Sequence, residues 1–447
     1  MNKSAFILPT ITLTFIIVLF SLTLNSKEFK IGGPTPISHL ISNEMSDFEQ
    51  TEKFDSEILK FMKYWDLKGG SFAIMRNDSL LYAKAYGYAN LDQEIKCEVK
   101  NTFRVASVSK LLTATAIMKL VEDDRLKLNS LVFGEEGILC DTLFSDIKYA
   151  NTKKITVEHL LRHTAGFSSP VGDPAFFQEN ISRVLEKKLP LSVDDFVHYA
   201  IQNRLKTNPG SSYDYSNLGY IILSKVVEVA SGMEYERYMK EEILAAADCH
   251  DIYIGRNFSE NRQKNEVQYY EVKEAEPVKA YDGSGRMTLK SNGGNNVTSI
   301  SGAGGWVASP VEILRFVASI NGSDVVENIL TKESISTMTY DSKRDKPIGW
   351  ASVSGKEWLR SGSMAGTTAL IKQQKNGYTW VFITNSSSWN GHRLSRYMST
   401  NISKYVSNVK EWPKRDLFKI RENRAEILEE IAAAKASKEE EKEKTEE

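Results

Sequence analysis

Apolar residues along this chain fall into blocks whose spacing changes several times. After Lys3 an uncharged apolar run extends from Ala5 to Leu24, and Lys27 is the next charge. That run predicts an export segment over residues 1–26, either a cleaved signal peptide or a membrane anchor. Residues 27–53 are polar and carry scattered Pro, Ser and Gly, the pattern of a linker. Phe54, Ile58, Phe61 and Met62 then repeat at helical spacing. Two short apolar runs, Ser71–Met75 and Leu80–Tyr88, flank Arg76-Asn77-Asp78-Ser79 and predict a β-hairpin. From Ser107 to Leu128 the pattern is helical and at first almost wholly apolar, so this helix is expected at the centre.

Further helices are predicted at Val157–Arg162, Val193–Gln202, Leu218–Ser231 and Tyr235–Ala247. Gly283–Gly305 reads as a long loop, ended by the capping sequence Ser309-Pro310-Val311-Glu312 of a helix to Ala318. Strand patterns follow at Gly355–Leu359, Thr368–Gln374 and Tyr378–Thr384, the last two joined by the turn dipeptide Asn376-Gly377. A helix from His392 to Val409 closes a domain expected to span residues 54–409. Strands near both ends with helices between them predict an α+β fold. Past Trp412-Pro413, Leu417, Ile420, Ile427, Leu428 and Ile431 share one face of a helix over Lys414–Ala436. Lys438–Glu447 is nearly all Glu and Lys and is expected to be a frayed tail.

Composition narrows the function classes. The chain has 447 residues, 41% hydrophobic and 26% charged, ordinary for a globular protein that needs no metal or disulfide to hold a core. Lys and Arg (57) nearly balance Asp and Glu (58), so no overall field favours nucleic acid. Cys97, Cys140 and Cys249 are widely spaced and form neither a disulfide framework nor a paired zinc motif.

The sharpest chemical signal is Phe103-Arg104-Val105-Ala106-Ser107-Val108-Ser109-Lys110. A Ser opening a helix, with Lys three residues later, puts both side chains on one face. A buried lysine loses protons more readily and can activate a hydroxyl. The helix start also offers N–H groups to an oxyanion. The bland alternative is an ordinary helix cap. A second element is Tyr213-Asp214-Tyr215-Ser216-Asn217, where Tyr215 can relay protons beside a cation and Asn217 can hold a carbonyl or a lysine. Alone, it reads first as a turn before a helix, with packed tyrosines and a capping Asn. His159 and His163 have a metal-like spacing, but Leu160 stands where a zinc protease needs Glu. No metal and no cofactor is expected.

These motifs, in this order, resemble the serine β-lactamase and penicillin-binding protein superfamily, and within it the branch of class C β-lactamases, related esterases and D-amino-acid-type peptidases. The resemblance runs from about Gly70 to Tyr405, and Ile155–Phe167, Gly302–Trp306 and Gly349-Trp350 match further landmarks. It implies an antiparallel sheet flanked by helices with an inserted all-helical subdomain. It also implies Ser107 as the acylated nucleophile, Lys110 and Tyr215 as proton-transfer partners, and Asn217 as a ligand of substrate and lysine. The third motif departs from the family: Arg360-Ser361-Gly362-Ser363 stands where Lys-Thr-Gly or His-x-Gly is usual. Arg360 keeps a cation, suited to a substrate carboxylate, but does not shuttle protons as His does. Gly362 is expected to let substrate approach the strand, and Ser363 to supply a second oxyanion N–H.

The implied activity is hydrolysis of a small-molecule or peptide substrate: a β-lactam, a peptide ending in D-residues, or an ester. Cleft loops such as Val171–Lys188 and Asp282–Ser301 would choose among them. Two readings of other classes stay open on the residues alone: a binding protein of the same build without acylation chemistry, and a scaffold acting through its C-terminal helix and N-terminal anchor.

Overall fold

Alternation along the strands separates two packed layers. In a computed structural model, which describes residues 34–446 apart from 168–172 and 344, Gly69–Arg76 and Ser79–Asn90 form the predicted hairpin. Asn77 and Asp78 both take left-handed backbone (φ 50° and 59°), the twist that two-residue hairpins favour. Tyr378–Thr384 pairs antiparallel with Gly69–Arg76, bringing the two ends of the chain into one sheet. The seven strands run in the order Ile95–Lys96, Ser79–Asn90, Gly69–Arg76, Tyr378–Thr384, Thr367–Gln373, Glu357–Met364, Ser352–Ser354. Neighbours throughout are antiparallel.

Successive residues point to opposite faces of this sheet. Phe72, Ile74, Trp380 and Phe382 face the helices Glu49–Tyr64 and Leu394–Asn408 in one apolar cluster. Ala73, Met75, Val381 and Ile383 join the larger core, with the helix Pro310–Ala318 on that side. This helix starts where Ser309, Pro310 and Glu312 predict, and the Ser309 hydroxyl accepts the Glu312 N–H at 3.3 Å.

The helical part lies between the two sets of strands. The helix Ser109–Glu122 buries every residue from Ser109 to Met118 and packs against Asn217–Ser231 and the short helix Ser301–Gly304. Val193–Gln202 matches its prediction, and the helix from Tyr235 widens into a π-turn over Met239–Leu244. Where a long loop was expected, Met287–Thr288 pairs with Val278–Lys279 and Lys290–Gly294 forms a π-turn.

Two expectations at the ends of the chain are corrected. The linker read over 27–53 ends by Pro36: Ile37, Ile41, Met45 and Phe48 are buried in the main core. Polarity misled here because the polar side chains bind backbone. Asn43 accepts the Ala85 N–H at 2.9 Å and donates to the Cys97 carbonyl at 3.1 Å, and Ser46 donates to Ala83 at 2.7 Å. At the other end, Trp412, Leu417, Ile420, Ile427 and Ile431 are buried in the folded body, and only Leu428 of the predicted face is exposed. The expected frayed tail is helical backbone through Glu446, as Glu and Lys favour. The export segment predicted over 1–26 lies outside the described residues. Among those described, no helix is long and apolar enough to cross a membrane.

Candidate active site

A strained turn sets the position of Ser107. The strand Phe103–Arg104 pairs with Trp306–Ala308, and the chain then turns through Ala106–Val108 into the helix Ser109–Glu122. Ala106 holds a left-handed φ of 46°, which costs a non-glycine residue about 1–2 kcal/mol. The turn persists because a strand lies directly on it. A Cβ added at Gly362 would sit 2.3 Å from the Val105 carbonyl oxygen and 2.7 Å from the Ser107 nitrogen. Gly362 therefore leaves room for the serine turn, a role the sequence reading did not include. Thr367 pins the same turn by donating its hydroxyl to the Arg104 carbonyl at 2.7 Å.

Around the half-buried Ser107 the structure brings together Lys110, Tyr215, Asn217 and Arg360. The Tyr215 hydroxyl lies 2.9 Å from Ser107 Oγ. Lys110 Nζ, fully buried, donates to Asn217 Oδ1 and the Ala303 carbonyl at 2.6 Å each and to Ser107 Oγ at 3.3 Å. Its three hydrogens thus have three acceptors. Burial lowers the Lys110 pKa, and Arg360 adds to this against the opposing pull of Tyr215. Burial alone would raise the Tyr215 phenol, but Lys110 and Arg360 outweigh it and bring the phenol down to about 8. A serine hydroxyl thus touches a phenol brought down to about 8 and an ammonium whose pKa burial lowers.

Arg360 differs from its expected role. It is 2% exposed, and its Nε donates to the carbonyl oxygen of Ser107 at 2.7 Å. Nη2 reaches the same oxygen and lies 3.4 Å from the Tyr215 hydroxyl. A guanidinium committed to backbone is not a free clamp for a substrate carboxylate; its charge acts on Tyr215 instead. Ser363 follows Gly362 on the strand, opposite Thr368, and is exposed.

This arrangement has known counterparts. Residues 54–401 match the Beta-lactamase family. The chain belongs to that family. It is 23% identical over 230 residues to Protein flp of Staphylococcus aureus (strain NCTC 8325 / PS 47), a match covering 52% of this chain and 43% of that protein. The chain thus spans less than half the length of that relative. It is 25% identical to the putative penicillin-binding protein PbpX of Bacillus subtilis (strain 168), over 70% of this chain and 69% of the relative. Among solved structures, the D-amino acid amidase of Ochrobactrum anthropi SV3 superposes with a TM-score of 0.62 at 17% identity, covering 81% of this chain and all (100%) of that one. The fold is the one shared by the β-lactamases and transpeptidases.

Beyond the family motifs, several residues that sequence reasoning passed over hold the site. Asp173 accepts both the backbone N–H of Asn217 (2.6 Å) and its side-chain amide (3.0 Å) on Oδ2. Asp173-Pro174 carried a turn signal, but nothing local tied it to Asn217. His163 is buried, and its Nδ1 accepts the Ser216 N–H at 3.2 Å while its ring packs on Tyr215 at 4.5 Å. Burial, with Lys110 and Arg360 nearby, holds this imidazole well below its ordinary pKa, so it stays a neutral acceptor. His159 caps its own helix, its Nδ1 accepting the Thr156 N–H. The metal-like histidine pair thus serves two separate backbone sites. Among the described residues, no three His, Cys, Asp or Glu side chains converge as metal ligands.

Proposed function

We propose that the chain is an exported serine hydrolase that works through an acyl-enzyme on an amide, lactam or ester carbonyl. The observation that carries this reading is the 2.9 Å contact of Tyr215 with Ser107 Oγ, beside a buried Lys110 in contact with the same oxygen. A phenol brought down to about 8 is partly ionised near neutral pH and accepts the Ser107 proton as Oγ attacks the carbonyl carbon. Lys110 stabilises the phenolate and keeps the proton within the pair. The N–H groups of Ser107 and Ser363 receive the oxyanion. As the tetrahedral intermediate collapses, Tyr215 returns the proton to the leaving nitrogen or oxygen, and the scissile bond breaks. Water then repeats the sequence and frees Ser107. Asn217 keeps Lys110 in place, and its side chain borders the substrate.

The family and its amidase relative support this class of chemistry, and β-lactams, D-peptides and small esters stay equal candidates. Intact-protein mass after mixing with a fluorophosphonate tests the reading, with wild type beside Ser107→Ala. One adduct on wild type only is expected. A folded wild type that takes no adduct overturns the hydrolase reading in favour of a binding protein of the same build.

A further inference from the structure

An asparagine amide has two ends of nearly equal shape, so the partners around it must decide which end faces which way. At Asn217 the oxygen faces Lys110 Nζ at 2.6 Å, and the nitrogen faces Asp173 Oδ2 at 3.0 Å. An ionised carboxylate only accepts, and an ammonium only donates. Turning the amide over would set donor against donor at Lys110 and acceptor against acceptor at Asp173. Asp173 is itself fixed, because Oδ1 accepts the Ala175 N–H at 3.0 Å while Oδ2 also accepts the Asn217 backbone N–H at 2.6 Å. Its negative charge also favours the Lys110 cation.

We infer that Asp173 is a positioning residue of this site: it sets the orientation of the Asn217 amide, and through it the place of Lys110 beside Ser107. The inference rests on the hydrolase reading above and deepens it. Asp173 acts on Lys110 through the Asn217 amide and through the charge it sets near the ammonium. It also opens the turn Pro174–Phe176, and Phe176 and Phe177 line a neighbouring cleft of about 710 Å³ with Leu189, Val278 and Tyr281. One carboxylate therefore joins the wall of that cleft to the catalytic amide, and a substrate group seated there bears on the same turn.

The test is the rate of fluorophosphonate acylation in the full chain for Asp173→Ala, Asp173→Asn, Asn217→Ala and the double alanine variant. Asp173→Ala should slow acylation roughly 30-fold, and the double variant should be no slower than the slower single within about threefold, as for two residues acting as a unit. Asp173→Asn keeps an oxygen for both Asn217 donors and should stay within about fivefold of wild type. If Asp173→Ala does not fold, Asp173→Ser carries the test. Its shorter hydroxyl does not span to the two Asn217 donors, and it should slow acylation about tenfold relative to Asp173→Asn. An unchanged rate in Asp173→Ala, additive effects in the double variant, or, in place of the alanine variant, an Asp173→Ser as fast as Asp173→Asn overturns the inference. A wild type without any adduct removes the hydrolase reading and this inference with it. A labelled wild type with an equally fast Asp173→Ala removes the inference alone.

Discussion

Arg360 donates to the carbonyl oxygen of Ser107, the residue whose hydroxyl meets Tyr215 on the other side. A cation at the third motif is thus turned inward onto the backbone of the serine turn. It lies 3.4 Å from the Tyr215 oxygen, so its charge acts on the phenol without a proton to give. On the proposed reading, Arg360 takes the electrostatic role of the Lys or His usual at the third motif and not a role in proton transfer.

Arg360→Ala should therefore slow acylation roughly 100-fold, as for loss of one preorganised charge at a reacting centre. Without this cation the Tyr215 phenol should rise from about 8 towards its ordinary 10. In the proposed mechanism the phenolate is the base, so the rate should climb with pH through that pKa. The midpoint of the climb should move to higher pH in the variant. A pH–rate profile of acylation for Arg360→Ala, Arg360→Lys and Arg360→His decides this; an unmoved midpoint in Arg360→Ala denies Arg360 its role. Arg360→Lys, which keeps the cation, should retain more activity than alanine near neutral pH, where the phenol of the alanine variant stays protonated.

Gly362→Ala places a methyl group 2.3 Å from one backbone atom and 2.7 Å from another, where no side chain can move aside. The strand or the serine turn must shift. A loss of about 3 kcal/mol or more in urea unfolding is expected, together with loss of acylation. Ser363→Ala leaves the backbone N–H in place and should keep both stability and most of the rate. Equal behaviour of the two variants would count against the contact described.

Glu312 gives the fold a pH dependence far from the site. It is fully buried, its Oε2 accepts the N–H groups of His250 (2.9 Å) and Asp251 (3.3 Å), and its Oε1 has no partner. Burial pushes this carboxyl up to about 7 from an ordinary 4.5, against the pull of those two N–H groups. Between these values the folded chain holds a proton that the unfolded chain has released. Stability from this group is complete below about 4.5 and is lost as pH rises to about 7, by up to about 3 kcal/mol. Glu312→Gln cannot ionise, so its stability relative to wild type should improve between pH 5 and pH 8, measured by urea unfolding across that range. A constant difference would show that Glu312 titrates normally.

The C-terminal segment is part of the folded body. Ending the chain at Lys410 removes Trp412, Leu417, Ile420, Ile427 and Ile431, all buried, and the pairing of Arg421 with Asp248 at 2.8 Å. Each such side chain contributes about 1.5–3 kcal/mol, so this truncation should abolish cooperative thermal unfolding. Ending it at Ala436 keeps all of them and should leave the transition within a few degrees of wild type (about 4 °C at most). Full stability and activity in the shorter chain would make the segment an accessory.

The sequence by itself determined the features whose partners lie close along the chain. The hairpin at Asn77-Asp78, the cap at Ser309, the turn at Asn376-Gly377 and the buried helix after Ser107 follow from local backbone preferences and apolar spacing. Ser107 and Lys110 meet because one helical turn separates them. The third motif was legible as residue types, but the direction of Arg360 was not. A guanidinium binds whichever acceptor the fold presents, and the Ser107 carbonyl lies 253 positions away in sequence. Asp173 and Asn217, 44 positions apart, became partners only when a turn met the start of a helix. Residues 36–48 read as linker because their polar side chains gave no hint of the backbone groups they would satisfy. Burial, hydrogen-bond direction and the pKa of Tyr215 depend on atoms from distant segments arriving at one place, and tertiary packing alone decides which ones arrive.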